Sequence, residues 1–171
     1  RESTRNLVYF PGSTIGNFEP DASLHLLRVM HQEAGPGGAL QIGTDLRKDP
    51  QIIEHAYNDS MGVTAEFNLN VLRHLNREFG SDFDLGGYSH NAVYVDQFGR
   101  VEMQLISRDE QQVSLGEKRF SFAKGEKIVT EYCHKFRLED FHALAAKAGF
   151  RHVNSWMDSN RWFGIQLYER Q

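Results

Sequence analysis

LVYFPGSTIGNFEPDASLHLLRVMHQEAGPGGALQIGTD, residues 7–45, is the stretch on which the fold turns. Leu7 to Phe10 is a short apolar run closed by Pro11-Gly12-Ser13, which reads as a buried strand ending in a turn. Pro20 suits the first position of a helix, and Leu24, Leu27, Met30 and Ala34 give that helix an apolar stripe. Gly35-Pro36-Gly37-Gly38 stops it, and Ala39 to Ile42 is a second buried strand running into Gly43-Thr44-Asp45. Strand, turn, helix, stop and strand make one βαβ unit, which implies a parallel sheet.

Outward from this unit the pattern changes. Gln51 to Tyr57 and Thr64 to Phe79 read as helices, the second with Phe67, Val71, Leu72, Leu75 and Phe79 on one side. Strands are expected at Ala92–Val95, Val101–Ser107, Arg119–Phe122 and Lys127–Arg137, with turns at Asp96–Gly99 and Lys124-Gly125. Leu138 to Ala148 returns to helix, and strands follow near Arg151–Met157 and Trp162–Tyr168. The order is α/β, then a helical and antiparallel insert, then α/β again. About four strands are expected in the parallel sheet.

Composition limits what such a protein does. The 171 residues are 40 % hydrophobic and 25 % charged, enough apolar material for a core and an ordinary globular balance. Nineteen basic against 23 acidic residues give a net charge of -4, so neither nucleic acid nor an anionic membrane is an expected partner. No apolar run approaches the roughly 20 residues of a membrane span. The single cysteine, Cys133, excludes an intrachain disulfide and suits a reducing cytoplasm, the expected location. The chain starts at Arg1 and is in an apolar run by Leu7, which reads as part of a longer protein.

Several residues are placed for chemistry. Gly12-Ser13-Thr14-Ile15-Gly16-Asn17 lies at the carboxyl end of a strand, where an α/β sheet offers its ligand crevice. It is either a binding loop or a Gly-rich turn with Asn17 as helix cap. Glu131 and Cys133 are two apart on one strand and share a face, about 7 Å apart, with Val129 and Lys135. Glu131 is either an ion-pair partner or a specificity group. Met103 alternates with Val101 and Leu105, a core pattern. No G-x-G-x-x-G, H-E-x-x-H or G-x-S-x-G occurs, so no metal site is expected.

Longer strings carry a resemblance. YFPGSTIGNF at 9–18, GTDLRKD at 43–49, AYND at 56–59, GVTAEFNLN at 62–70 and TEYCHKF at 130–136 resemble the histidine-specific Nα-methyltransferases of ergothioneine biosynthesis. These enzymes use S-adenosylmethionine (SAM). The resemblance runs over essentially the whole chain and implies a cytoplasmic enzyme with SAM as co-substrate and a small amino acid, foremost L-histidine, as acceptor. It also implies an α/β fold: a partial Rossmann-like class I methyltransferase sheet with an inserted α+β substrate-binding domain containing antiparallel strands. Residues 1–47 and 138–171 would belong to the SAM-binding domain and 48–137 to the insert. Family members are about twice this length, and their first half holds the Gly-rich SAM loop and ribose acid, so this chain resembles the C-terminal portion. Such a portion alone is expected to be inactive and to self-associate through an open sheet edge.

Residue by residue, the resemblance implies that Asn17 and Tyr57 hold the substrate's α-carboxylate and that Gly12 lies beside its α-amino group. Met103 would pack against the imidazole and Glu131 would accept its N–H. The position that supports the other ring nitrogen is usually Ser in the family and here is Cys133, a weaker hydrogen-bond partner. No residue is assigned a covalent catalytic role. Two other readings stand beside this one: the same chemistry on another aromatic amino acid such as tryptophan, and an amino-acid-binding module that does not methylate.

Overall fold

A computed structural model describes residues 5–171, which form two compact units: residues 5–48 with 133–171, and residues 49–132. The first unit contains strand β1 (Leu7–Phe10), helix α1 (Pro20–Ala34) and strand β2 (Ala39–Asp45). The second contains helices α2 (Pro50–Tyr57) and α3 (Val63–Phe79) and strands β3 (Tyr88–Val95), β4 (Arg100–Ser107), β5 (Gln111–Leu115) and β6 (Lys118–Phe122). Strand β7 (Lys127–His134) carries the chain back to the first unit, which ends with α4 (Leu138–Lys147), β8 (Phe150–Met157) and β9 (Phe163–Arg170).

The first unit is built on a four-stranded sheet in the order β1-β2-β9-β8. β1 and β2 pair in parallel, Leu7 opposite Ala39, as the βαβ reading of residues 7–45 requires. The rest of the sheet corrects the expectation of about four parallel strands: β9 is antiparallel to both β2 and β8. The reason lies in the connection. Only residues 158–162 join β8 to β9, too few for the crossover that parallel strands need. Asp158 fixes this turn by accepting from the backbone N–H groups of Asn160, Trp162 and Phe163 at 2.7–2.9 Å. Burial of Ile15, Leu27, Met30, Leu40, Ile42, Phe141, Phe150 and Tyr168 makes the core of this unit.

The second unit holds a β3-β4-β7 sheet and a separate β5–β6 hairpin. β3 and β4 are antiparallel, with Tyr88 opposite Ser107 and Ala92 opposite Met103. β5 was not expected from the sequence, because Gln111 to Leu115 has a single deeply buried apolar side chain, Val113, 1 % exposed. The edge of β3 is covered by side chains from α2 and the residue after it. Asn58 accepts from the Ala92 N–H and donates to the Ala92 carbonyl, at 2.9 and 2.8 Å, and Glu54 accepts from the Tyr94 N–H at 2.8 Å. Such coverage satisfies backbone groups that an edge strand otherwise leaves open. Among the described residues no helix is long and apolar enough to cross a membrane.

Candidate functional site

In the first unit, the loop after β1 is held by its small residues. Ser13 adopts a left-handed conformation, with φ of 54°, and its Oγ accepts from the Asp45 N–H at 2.8 Å, tying the loop to the end of β2. Gly16 is buried against β7: a Cβ there would lie 2.7 Å from the His134 carbonyl oxygen. Gly43 is equally constrained, since a Cβ on it would collide with the Pro11 carbonyl. These fixed points leave Gly12 and Asn17 exposed. Asn17 does not cap α1, whose N-cap is Glu19 and carries no side-chain cap. The exposed amide of Asn17 can therefore donate to and accept from a ligand.

Cys133 belongs to the same unit, and its surroundings include a pair that sequence reasoning did not connect. Lys135 is 3 % exposed, and its Nζ donates to Asp45 Oδ2 at 2.7 Å and to Cys133 Sγ at 3.3 Å. Asp45 also receives Lys48 Nζ at 2.6 Å. A buried ammonium needs such a carboxylate, because leaving a charge unpaired away from water costs several kcal/mol, about 3–5 when one partner is removed. Lys135 is recognisable in sequence only as sharing the face of Cys133. Its partner Asp45 is 90 residues away, and no spacing links them.

Tyr57, Met103 and Glu131 fall in the second unit. Tyr57 ends α2 and is half-buried, and the Asn58 pairing with Ala92 fixes the backbone next to it. Asp59 then starts the following turn, accepting from the Thr64 and Val63 N–H groups at 2.8 and 2.9 Å. Those bonds, the Thr64 N–H first, draw its carboxyl down from 3.8 to about 2. Met103 is 3 % exposed, in the body of the unit, and Glu131 is half-buried on β7. In the first unit the expected residues are an exposed amide, a glycine backbone and a thiol, and in the second a phenol and a carboxylate.

Comparison with known proteins gives the family. The family model described as histidine-specific methyltransferase, SAM-dependent, matches residues 1–170. The chain is 42 % identical over 168 residues to a histidine N-alpha-methyltransferase of Mycolicibacterium smegmatis, covering 97 % of this chain and 52 % of that protein. It is 39 % identical over 165 residues to the protein of that name from Mycobacterium tuberculosis, with 95 % and 51 % covered. The chain spans about half the length of the curated relatives it matches. Its fold is also found in an S-adenosylmethionine-dependent methyltransferase from Clostridium acetobutylicum, at a TM-score of 0.50 and 12 % identity, over 96 % of this chain and 57 % of that one. The mixed sheet of the first unit is accordingly part of a Rossmann-like methyltransferase sheet, and the chain belongs to the SAM-dependent, histidine-specific methyltransferase family.

Proposed function

We propose that the protein methylates the α-amino group of an amino acid, foremost L-histidine, with SAM as methyl donor. The observation that carries this reading is the family match over residues 1–170, which spans all six positions expected to touch substrate. In this division of labour, residues 1–47 and 138–171 serve the SAM domain and 48–137 the substrate insert, in a cytoplasmic protein. No residue of this chain is assigned to SAM itself. Self-association is proposed at the free edge of β1, where Leu7 and Tyr9 are 54 % and 63 % exposed.

SAM supplies a methyl group activated on a sulfonium. An N–C bond forms as the S–C bond breaks, and the new ammonium releases its proton to solvent. No covalent enzyme intermediate is needed, so the residues here act by holding a neutral amine in line, where positioning alone can contribute about 7–11 kcal/mol. Asn17 and Tyr57 grip the α-carboxylate, with the Gly12 backbone beside the amine. Glu131 accepts one imidazole N–H, and Cys133 meets the other ring nitrogen. A buried carboxylate left without its N–H donor is costly, so Glu131 selects against rings that lack one. Met103, with little surface free, has the least to offer a ligand.

The test is a competition in the full-length protein between histidine and tryptophan with deuteromethyl SAM, read by mass spectrometry. Histidine should gain the label at its α-nitrogen, and Glu131→Ala should lower histidine affinity about 10- to 150-fold while sparing phenylalanine. Labelling of tryptophan instead would transfer the reading to the rival aromatic substrate. Binding without labelling of either would support a non-catalytic module.

A further inference from the structure

The second unit contains a partly buried hydrogen-bond chain that starts at Tyr57 and ends on the strand of Glu131. His90, on β3, lies with Nε2 2.8 Å from the Tyr57 carbonyl oxygen. A carbonyl only accepts, so Nε2 carries the hydrogen. The other ring nitrogen, Nδ1, is 2.9 Å from Nδ2 of Asn68 on α3. Asn68 Nδ2 also lies 3.1 Å from the Gln104 carbonyl, which again only accepts, so the amide donates to both. The two carbonyls together specify the arrangement: the Tyr57 carbonyl places a hydrogen on Nε2, and the Gln104 carbonyl orients the amide so that Nδ1 meets it with a lone pair.

The far side of Asn68 reaches β7. Its Oδ1 accepts from the Thr130 hydroxyl at 2.6 Å, and the same hydroxyl is 3.1 Å from the Met103 carbonyl. Asn68 is 1 % exposed, and both amide hydrogens and its oxygen are used. Thr130 precedes Glu131, and the two side chains point to opposite faces of the strand. Two positions given to substrate recognition, Tyr57 and Glu131, are thus tied to one amide, through the Tyr57 carbonyl and the hydroxyl beside Glu131.

We infer that Asn68 and His90 are positioning residues for the amino-acid substrate, setting the end of α2 that bears Tyr57 and the strand that bears Glu131 in one register. This inference rests on the substrate reading above. A fully satisfied buried network has one arrangement of lowest energy, whereas apolar packing of the same volume tolerates several. The pairing cannot be read from chain spacing, because 22 residues separate Asn68 from His90 and 62 separate it from Thr130.

Two substitutions split the chain at its ring. In His90→Asn the side-chain oxygen replaces Nδ1 and keeps the Asn68 bond, but the donor to Tyr57 is lost. In His90→Gln the amide nitrogen replaces Nε2 and keeps that donor. In the full-length protein, His90→Asn should raise KM for histidine about fivefold or more with KM for SAM unchanged, and His90→Gln should stay nearer the parent. Equal values for parent and both variants would overturn the inference, as would a parallel rise in KM for SAM. Hydrogen exchange provides the second readout. His90→Asn should speed amide exchange across residues 50–59 and leave residues 138–147 as in the parent. Unchanged exchange across 50–59, or acceleration throughout, would also overturn it. A parent that binds no amino acid would refute the proposed function instead, and the exchange result would still decide the positioning role.

Discussion

In the unit of residues 5–48 and 133–171, ten buried side chains from helices and strands close on one another in a single apolar cluster, with Phe141 and Tyr168 at its centre. In the unit of residues 49–132 a buried apolar cluster that includes Leu72 and Leu105 lies in the same body as a ring, an amide and a hydroxyl joined by hydrogen bonds. Apolar burial is non-directional and supplies stability in proportion to area. Polar contacts inside a protein add little net stability when satisfied but fix orientation. The difference lies in what the polar contacts join: in the first unit they pair a buried ammonium with a carboxylate, Lys135 with Asp45, and in the second an amide links a ring to a hydroxyl across three elements.

Cutting into the apolar cluster should break the comparison most visibly. Phe141 is fully buried and packs edge-on against Phe136 at 5.0 Å between ring centres. Phe141→Ala should cost about 3–5 kcal/mol in denaturant unfolding. A cost near 1 kcal/mol would mean that the cluster is not what holds the first unit. A smaller effect is expected at Asp59. Its carboxyl titrates near 2 when folded and near 3.8 when unfolded, so its contribution is present above 3.8 and is lost as pH falls through about 2. Asp59→Asn should lower the melting temperature at neutral pH and flatten its fall between pH 3.8 and about 2. An unaltered acid limb would place the linkage on another group.

The smallest effect sharpens the contrast from the polar side. Tyr88 is 1 % exposed, packs against Phe83 and Phe122, and its hydroxyl has no partner among the described residues. Burial, and then the charge of Glu126, push its pKa up to about 12. The group must stay protonated to remain buried, so its effect is absent below pH 10 and destabilises as pH rises through about 12. Tyr88→Phe should leave neutral stability within about 1 kcal/mol, unchanged or higher, and remove that alkaline loss. A larger loss at neutral pH would show that the hydroxyl has a role in holding the unit.

The two units also differ in how far the sequence reveals them. β1, α1 and β2 are visible because turn residues bracket runs of a clear period, and the packing that follows needs only apolar side chains on one face. The direction of β9 was misjudged because strand periodicity says nothing about which neighbour a strand takes, and the short Asp158 turn decides it. β5 is not legible because Val113 and Leu115, in a five-residue segment with three polar residues, make too short an alternation to stand out. At the site, Gly12, Asn17, Tyr57, Met103, Glu131 and Cys133 stood out through long motif strings rather than through chemistry alone. Asp45 with Lys135, and Asn68 with His90, were beyond such reading, because each pair is assembled by the fold from distant segments.

Gly16 carries a lesson for anyone who would redirect this protein to a new substrate. Every residue other than glycine would drive a carbon atom into the His134 carbonyl, while at Gly12 the nearest atom a Cβ would meet is Thr14 Oγ1 at 3.5 Å. A combinatorial library over the loop should therefore hold position 16 constant and spend its diversity at 12 and 17. Variants recovered from such a library would keep the packing of the loop against β7, because Gly16 would be the same in all of them.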